Sequence, residues 1–209
     1  STATSRVVVS RTEAQKKVPL FLHLKQVERE GSLTKRVSFV PHAREDALGI
    51  HPSVVALGLR YAEGVIRGAD ARAVAMLLAF ADVVRDFSTP PGEAFARALT
   101  KRLNAQFDFL TSCRPHSITM GNAFVHVKQA VSRVAVDLPE DEAKRVVLGV
   151  LDEFARTNVM AASDEVAAAG AKHICDGDII LTYARSSVVE KAILLAHAEE
   201  RKQFRVIVI

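Results

Sequence analysis

The period of the apolar residues changes once along this chain, at Asp178, and that change decides the fold class. From Ile50 to Ile174 apolar residues return every three or four positions, the spacing of one face of an α-helix. After Asp178 they come in two short runs, Ile179-Ile180-Leu181-Thr182-Tyr183 and Phe204-Arg205-Val206-Ile207-Val208-Ile209. The second is rich in β-branched residues, which favour strands. A polar break, Ala184-Arg185-Ser186-Ser187, and a periodic stretch separate them. Helices followed by strand, loop, helix and strand predict a mainly α chain: an N-terminal helical bundle joined to the first β-α-β unit of an open α/β domain. The expected divisions are 1–49, a basic and partly disordered arm; 50–176, the helical domain; and 177–209, the start of the α/β domain. One helix cannot cover both faces of a parallel sheet. The α/β domain is therefore expected to be incomplete and the chain an N-terminal fragment, prone to associate through its strands.

Within the arm, Leu20, Leu24 and Val27 share a face and predict a short helix over 18–27. "HPSVVALGLRYAEGVIRG" predicts a helix that starts at Pro52 and stops at Gly68. In the next, Val74, Leu77, Leu78, Ala81 and Val84 form one broad apolar face. "STPPGE" breaks the chain, with Thr89 a candidate cap for the helix that follows. "HSITMGNAFVHVKQAVSRV" is another helix, and the stretch from Pro139 to Ile174 is one long helix or two.

Charge is unevenly placed. The net +4 comes entirely from residues 1–49, which hold nine Lys and Arg against five Asp and Glu. A solvated tail and an acidic partner are both compatible with that arm. With aromatics at 6% and no Trp, a base-stacking surface is not expected, and no direct nucleic-acid contact is assigned. Cys113 and Cys175 share no motif, so neither a disulfide framework nor a zinc cluster is expected, and the reducing cytosol is the natural setting. No apolar run is long enough to span a bilayer.

Two places carry candidate chemistry. Strand, polar loop and helix from Ile179 to Ile193 is where α/β proteins seat ligands, because free N–H groups at a helix start attract anions. Yet the loop offers only Tyr183, Arg185, Ser186 and Ser187, with no group in it to activate a serine. In "CRPHSITMGNA", Arg114 precedes a helix start and suits an anion. The alternative, favoured by the spacing, is that Arg114 caps the preceding helix and Ser117 caps the next. The histidines show no metal-ligand spacing, and no catalytic, cofactor or metal residue is assigned.

Four segments, "IHPSVVALGLRYAEGVIRGADAR", "FSTPPGEAFARAL", "FLTSCRPHSITMGNA" and "GDIILTYARSSVVEKAIL", together resemble the alpha/beta/delta regulatory-subunit family of translation initiation factor 2B, the delta members above all. "KKVPLFLHLKQVEREGSLTKR" resembles the segment that precedes their helical domain. The resemblance implies a helical domain and a Rossmann-like domain. It also implies a non-catalytic regulatory subunit of the guanine-nucleotide exchange factor for initiation factor 2, with alpha, beta, gamma and epsilon subunits as partners. Sensing of the phosphorylated alpha subunit of factor 2 is implied as well. Candidate contacts carried over are Arg185, Ser187, Glu190, Lys191 and Ile193 at a helix start, with Arg114 nearby. Val55 and Leu57 match the wall of a small-molecule regulator pocket. The same superfamily holds methylthioribose-1-phosphate isomerases, whose catalytic Cys position is Ala184 here. Their phosphate-site Arg-Pro is matched by Arg114-Pro115. A sugar-phosphate isomerase is therefore the alternative reading, and a plain helical interaction module a further one.

Overall fold

A computed structural model describes residues 49–198 and 201–209. The expected helix over 18–27, and nearly all of the arm, lie outside the described residues. Among the described residues, eight helical segments and two strands follow in order: α1 (Pro52–Ala62), α2 (Ala69–Asp86), α3 (Phe95–Cys113), α4 (Ile118–Ser132), α5 (Glu140–Glu153), a π-helical segment (Phe154–Ala161), α6 (Ala162–His173), β1 (Ile179–Thr182), α7 (Ser187–Ala198) and β2 (Arg205–Val208).

The architecture is mainly α, and α2 is its centre, touching α1, α3, α4, α5 and the π segment. Its buried residues include Ala73, Met76, Leu77, Phe80, Ala81, Val83 and Val84. Steps of three, two and one give a face wide enough for several partners. Leu78, expected on that face, is 64% exposed. One residue past Leu77 is a turn of about 100°, and that carries it over the rim of the buried face.

α1 ends at Ala62, short of Gly68. Gly64 sits at φ +69, with its N–H on the Tyr61 carbonyl, and the Val65 N–H bonds the Arg60 carbonyl. This pair of bonds closes a helix through a left-handed residue, which glycine adopts without strain. Thr89 does not cap α3, whose N-cap is Ala94. Its N–H instead donates to Glu140 Oε2 at 3.1 Å. The neighbouring Thr89, through its side chain first and then its backbone N–H, holds the Glu140 carboxyl below the usual range, and Lys144 adds to this. The loop before α3 is thereby tied to the start of α5.

β1 and β2 pair in parallel, with Ile179 opposite Arg205 and Thr182 opposite Val208. α7, the crossover between them, packs on α6 through Ala167, Ala171, Ala192 and Ala196, all buried. A Cβ on Gly170 would lie 3.3 Å from that of Ala192, so small residues set how closely these helices approach. Ile179, Leu181, Ile207, Val208 and Ile209 are exposed.

Tyr61 is 1% exposed, and its hydroxyl donates to the Arg72 carbonyl. Burial pushes the phenol pKa up, while the Arg72 charge acts in the opposite sense. A folded-state pKa above the unfolded value of about 10 means that stability is intact below that pH and falls as pH rises beyond it. Tyr61→Phe is expected to flatten the alkaline fall of the urea midpoint and to cost about 1 kcal/mol at neutral pH for the lost hydrogen bond. An unchanged alkaline profile would exclude Tyr61 as its source.

Candidate functional site

The loop after β1 turns sharply. Ala184 has φ +57, a left-handed backbone that a non-glycine residue adopts rarely. Its N–H donates to the Ile209 carbonyl at 2.8 Å, so the β1–β2 pairing carries into the loop and fixes the turn. Tyr183 is 83% exposed. The Ser186 carbonyl accepts the Glu190 N–H at 2.9 Å, which starts α7.

Arg185 lies over the first turn of α7 and donates from Nε to Glu190 Oε2 at 2.8 Å and from a terminal nitrogen to Oε1 at 3.3 Å. These bonds, and then the opposite charges, hold the Glu190 carboxyl low and the Arg185 guanidinium high. Both groups are solvated, so the pair orders the loop and adds little to stability. Ser187 is exposed and Ile193 half-buried. Lys191 pairs across the helix interface with Asp164 of α6. Five of the six candidate contacts thus fall on α7 and its approach loop.

Arg114 belongs to another corner, as the C-cap of α3, where its N–H donates to the Leu110 carbonyl. Ser117 caps α4, accepting the Met120 N–H at Oγ, as the capping alternative expected. Two residues that sequence reasoning passed over organise this corner. Arg72 is 8% exposed and donates to the Pro115 carbonyl at 2.8 Å and the Gly68 carbonyl at 3.3 Å. Burial, and then the neighbouring Arg114 charge, pull its guanidinium below the usual value, and Tyr61 offsets part of this. Asp70 accepts the Thr119 hydroxyl on one oxygen and the Ser163 hydroxyl on the other, joining α2, α4 and α6. An Asp in the first turn of a helix reads in sequence as a dipole partner, which hides this bridging role.

Leu57 is packed in the core at 6% exposure, and Val55 is half-buried. Two positions apart on a helix, they point about 200° apart and do not share a face.

The chemistry available is limited. A serine nucleophile needs a base within hydrogen-bond reach, and the carboxylate nearest in sequence to Ser186 and Ser187, Glu190, is engaged by Arg185. Among the described residues no three His, Cys, Asp or Glu side chains cluster as a metal site, and no helix is long and apolar enough to cross a membrane.

Known proteins resemble the chain along nearly its whole length. Translation initiation factor eIF2B subunit delta of Dictyostelium discoideum is 35% identical over 206 residues, 99% of this chain and 32% of that protein. Its counterpart in Schizosaccharomyces pombe is 40% identical over 161 residues, 77% of this chain and 34% of that protein. The chain therefore spans about a third of the length of these relatives. A chain of the tetrameric eIF2B-beta2-delta2 complex from C. thermophilum superposes with a TM-score of 0.71 at 38% identity, covering 76% of this chain and 51% of that one. The 5-methylthioribose 1-phosphate isomerase of Pyrococcus horikoshii shares the fold alone, with a TM-score of 0.59 at 15% identity over 74% of this chain and 51% of that one. Residues 65–209, which run from just before α2 to β2, match the model of one family, and on that match the chain belongs to the initiation factor 2 subunit family.

Proposed function

We propose that this chain is a delta-type, non-catalytic part of the guanine-nucleotide exchange factor for translation initiation factor 2. The likeness to delta subunits over 206 residues carries the reading. Ala184, without a nucleophile and flanked by an Arg185 already paired to Glu190, supports the absence of catalysis. Its partners are the alpha, beta, gamma and epsilon subunits, in the cytosol. The beta2-delta2 composition of the superposed complex supports beta as one of them. Residues 50–176 act as the helical domain and 177–209 as the beginning of a Rossmann-like domain.

Its regulatory role is to help sense the phosphorylated alpha subunit of factor 2, through Arg185, Ser187, Glu190, Lys191 and Ile193 at the start of α7, with Arg114 contributing from the α3–α4 corner. Val55 is the better candidate of the α1 pair for a regulator pocket, since Leu57 is enclosed. Lys191→Glu in the assembled factor tests the sensing face. Because Lys191 pairs with Asp164, reversal sets two carboxylates together, at an exposed-pair cost of about 1 kcal/mol or less. Inhibition by the phosphorylated factor is expected to weaken while basal exchange persists. Lys191→Ala separates lost attraction from new repulsion. Unchanged inhibition in both variants, with assembly verified, would remove Lys191 from the face.

A further inference from the structure

A groove of about 220 Å³ runs between α4 and α5, with His126, Ala130, Arg133 and Val134 on one side and Val146 and Val150 on the other. Val146 is 50% exposed, so the apolar part of the groove is open. Glu153 follows Val146 and Val150 along the same face of α5, by helical spacing. Neither the Arg133 guanidinium nor the Glu153 carboxylate has a partner among the described residues. Arg133 is the C-cap of α4, beside the turn into α5, and Glu153 is the last residue of α5. The groove is thus an apolar slot with a cation at one end and an anion at the other.

The chain enters the bundle at the Arg133 end. His51 Nε2 lies 3.0 Å from Asp86, the last residue of α2. The loop after Asp86 reaches the start of α5, where the Thr89 N–H bonds Glu140 at 3.1 Å. The arm ahead of Gly49 carries an apolar stripe of the right length, Leu20, Leu24 and Val27. Wound at 100° per residue, Glu28 and Glu30 fall about 80° to either side of Leu20, whereas Lys25 and Arg29 fall about 140° and 180° away. The stripe is therefore flanked by carboxylates at its C-terminal end and preceded by Lys16 and Lys17 at the other. Residues 31–48 join it to Gly49, and at about 3.3 Å per extended residue they span up to roughly 60 Å, more than twice the length of α4.

We propose that residues 18–30 of this chain fold back into the α4–α5 groove as an amphipathic helix. Leu20, Leu24 and Val27 cover Val146 and Val150, with Glu28 and Glu30 at Arg133 and with Lys16 and Lys17 toward Glu153. This is the helix-in-groove mode of recognition, supplied by the chain itself. The charges set its direction: the end of the helix nearest Gly49 meets the end of the groove nearest the chain entry. While the arm is seated, the groove is closed to other proteins.

Disulfide trapping in the full chain tests this. Cys175→Ser leaves buried Cys113 as the only native thiol. Leu20→Cys, Leu24→Cys and Val27→Cys are then combined, one at a time, with Val146→Cys, and for comparison with Ala168→Cys on the exposed side of α6. With oxidised glutathione, at least one arm position is expected to form an intrachain disulfide with position 146 about ten times faster or more than with position 168, because docking raises the effective concentration of the two thiols. Arg133→Glu is expected to slow that linkage about two- to five-fold, the weight of an exposed ion pair, and Glu28→Arg with Glu30→Arg to restore it. Equal rates at positions 146 and 168 would overturn the proposal. So would disulfides formed only between chains, which would seat a second copy in the groove, or a linkage rate indifferent to the charge reversal.

Discussion

Phe80→Ala is expected to destabilise the protein by about 3–5 kcal/mol, the largest effect of any single truncation considered. Phe80 is fully buried on α2, with its ring edge-on to Phe124 of α4 at 6.0 Å between centroids. Phe124 in turn stacks on Phe107 of α3 at 4.0 Å. Removing the first ring leaves a cavity at the helix that α1, α3, α4, α5 and the π segment all touch, so partial collapse on one side opens a gap on another. The loss is a large share of the 5–15 kcal/mol typical of a domain. Urea unfolding should show a lower midpoint with an unchanged slope. A loss under about 1.5 kcal/mol would mean that α2 is not the centre of the core.

Gln106→Leu is expected to cost about 2–5 kcal/mol although it replaces a buried polar side chain with an apolar one of similar size. Gln106 is fully buried in α3. Its carbonyl oxygen accepts the His51 N–H at 2.8 Å, and its amide donates to the Gly49 carbonyl at 2.5 Å. It therefore satisfies one backbone donor and one backbone acceptor from the segment that enters α1. Leucine would strand both. His51 depends on this anchor: its Nδ1 accepts the Ser53 N–H, and the remaining ring nitrogen, which then carries the proton, donates to Asp86 at 3.0 Å. Faster hydrogen exchange at the start of α1, with the rest of the bundle protected, is the expected signature. A stability change within about 0.5 kcal/mol would show that water replaces the amide without penalty.

Gln106 also shows where the sequence stops being informative. A Gln in a helix gives no sign of being buried, because its partners lie more than fifty residues earlier. Arg72 and Asp70 escaped notice for the same reason: each draws its role from the α3–α4 corner, about forty to fifty positions further on. Features with a short-range cause were legible. The helices followed from the recurrence of apolar residues, the strands from their β-branched runs, and the Ser117 cap from a hydroxyl just before a helix. Errors arose where two local causes competed. Gly68 was expected to stop α1, but Gly64, nearer the helix, closes it. Thr89 read as a cap because it precedes a helix, but Glu140 claimed its N–H. At the candidate face, Arg185 and Glu190 are near neighbours whose pairing follows from spacing, whereas the pairing of Lys191 depends on how α6 meets α7.

We infer that this chain serves an assembly and performs no reaction of its own. Co-expression with a beta-type subunit, followed by native mass measurement and a pentose-phosphate isomerisation assay on the same sample, tests it most directly. The expected result is a stable complex containing both chains, with no isomerisation above buffer. A chain that remains apart from its partner and isomerises a sugar phosphate, with the activity abolished by Arg114→Ala, would contradict it.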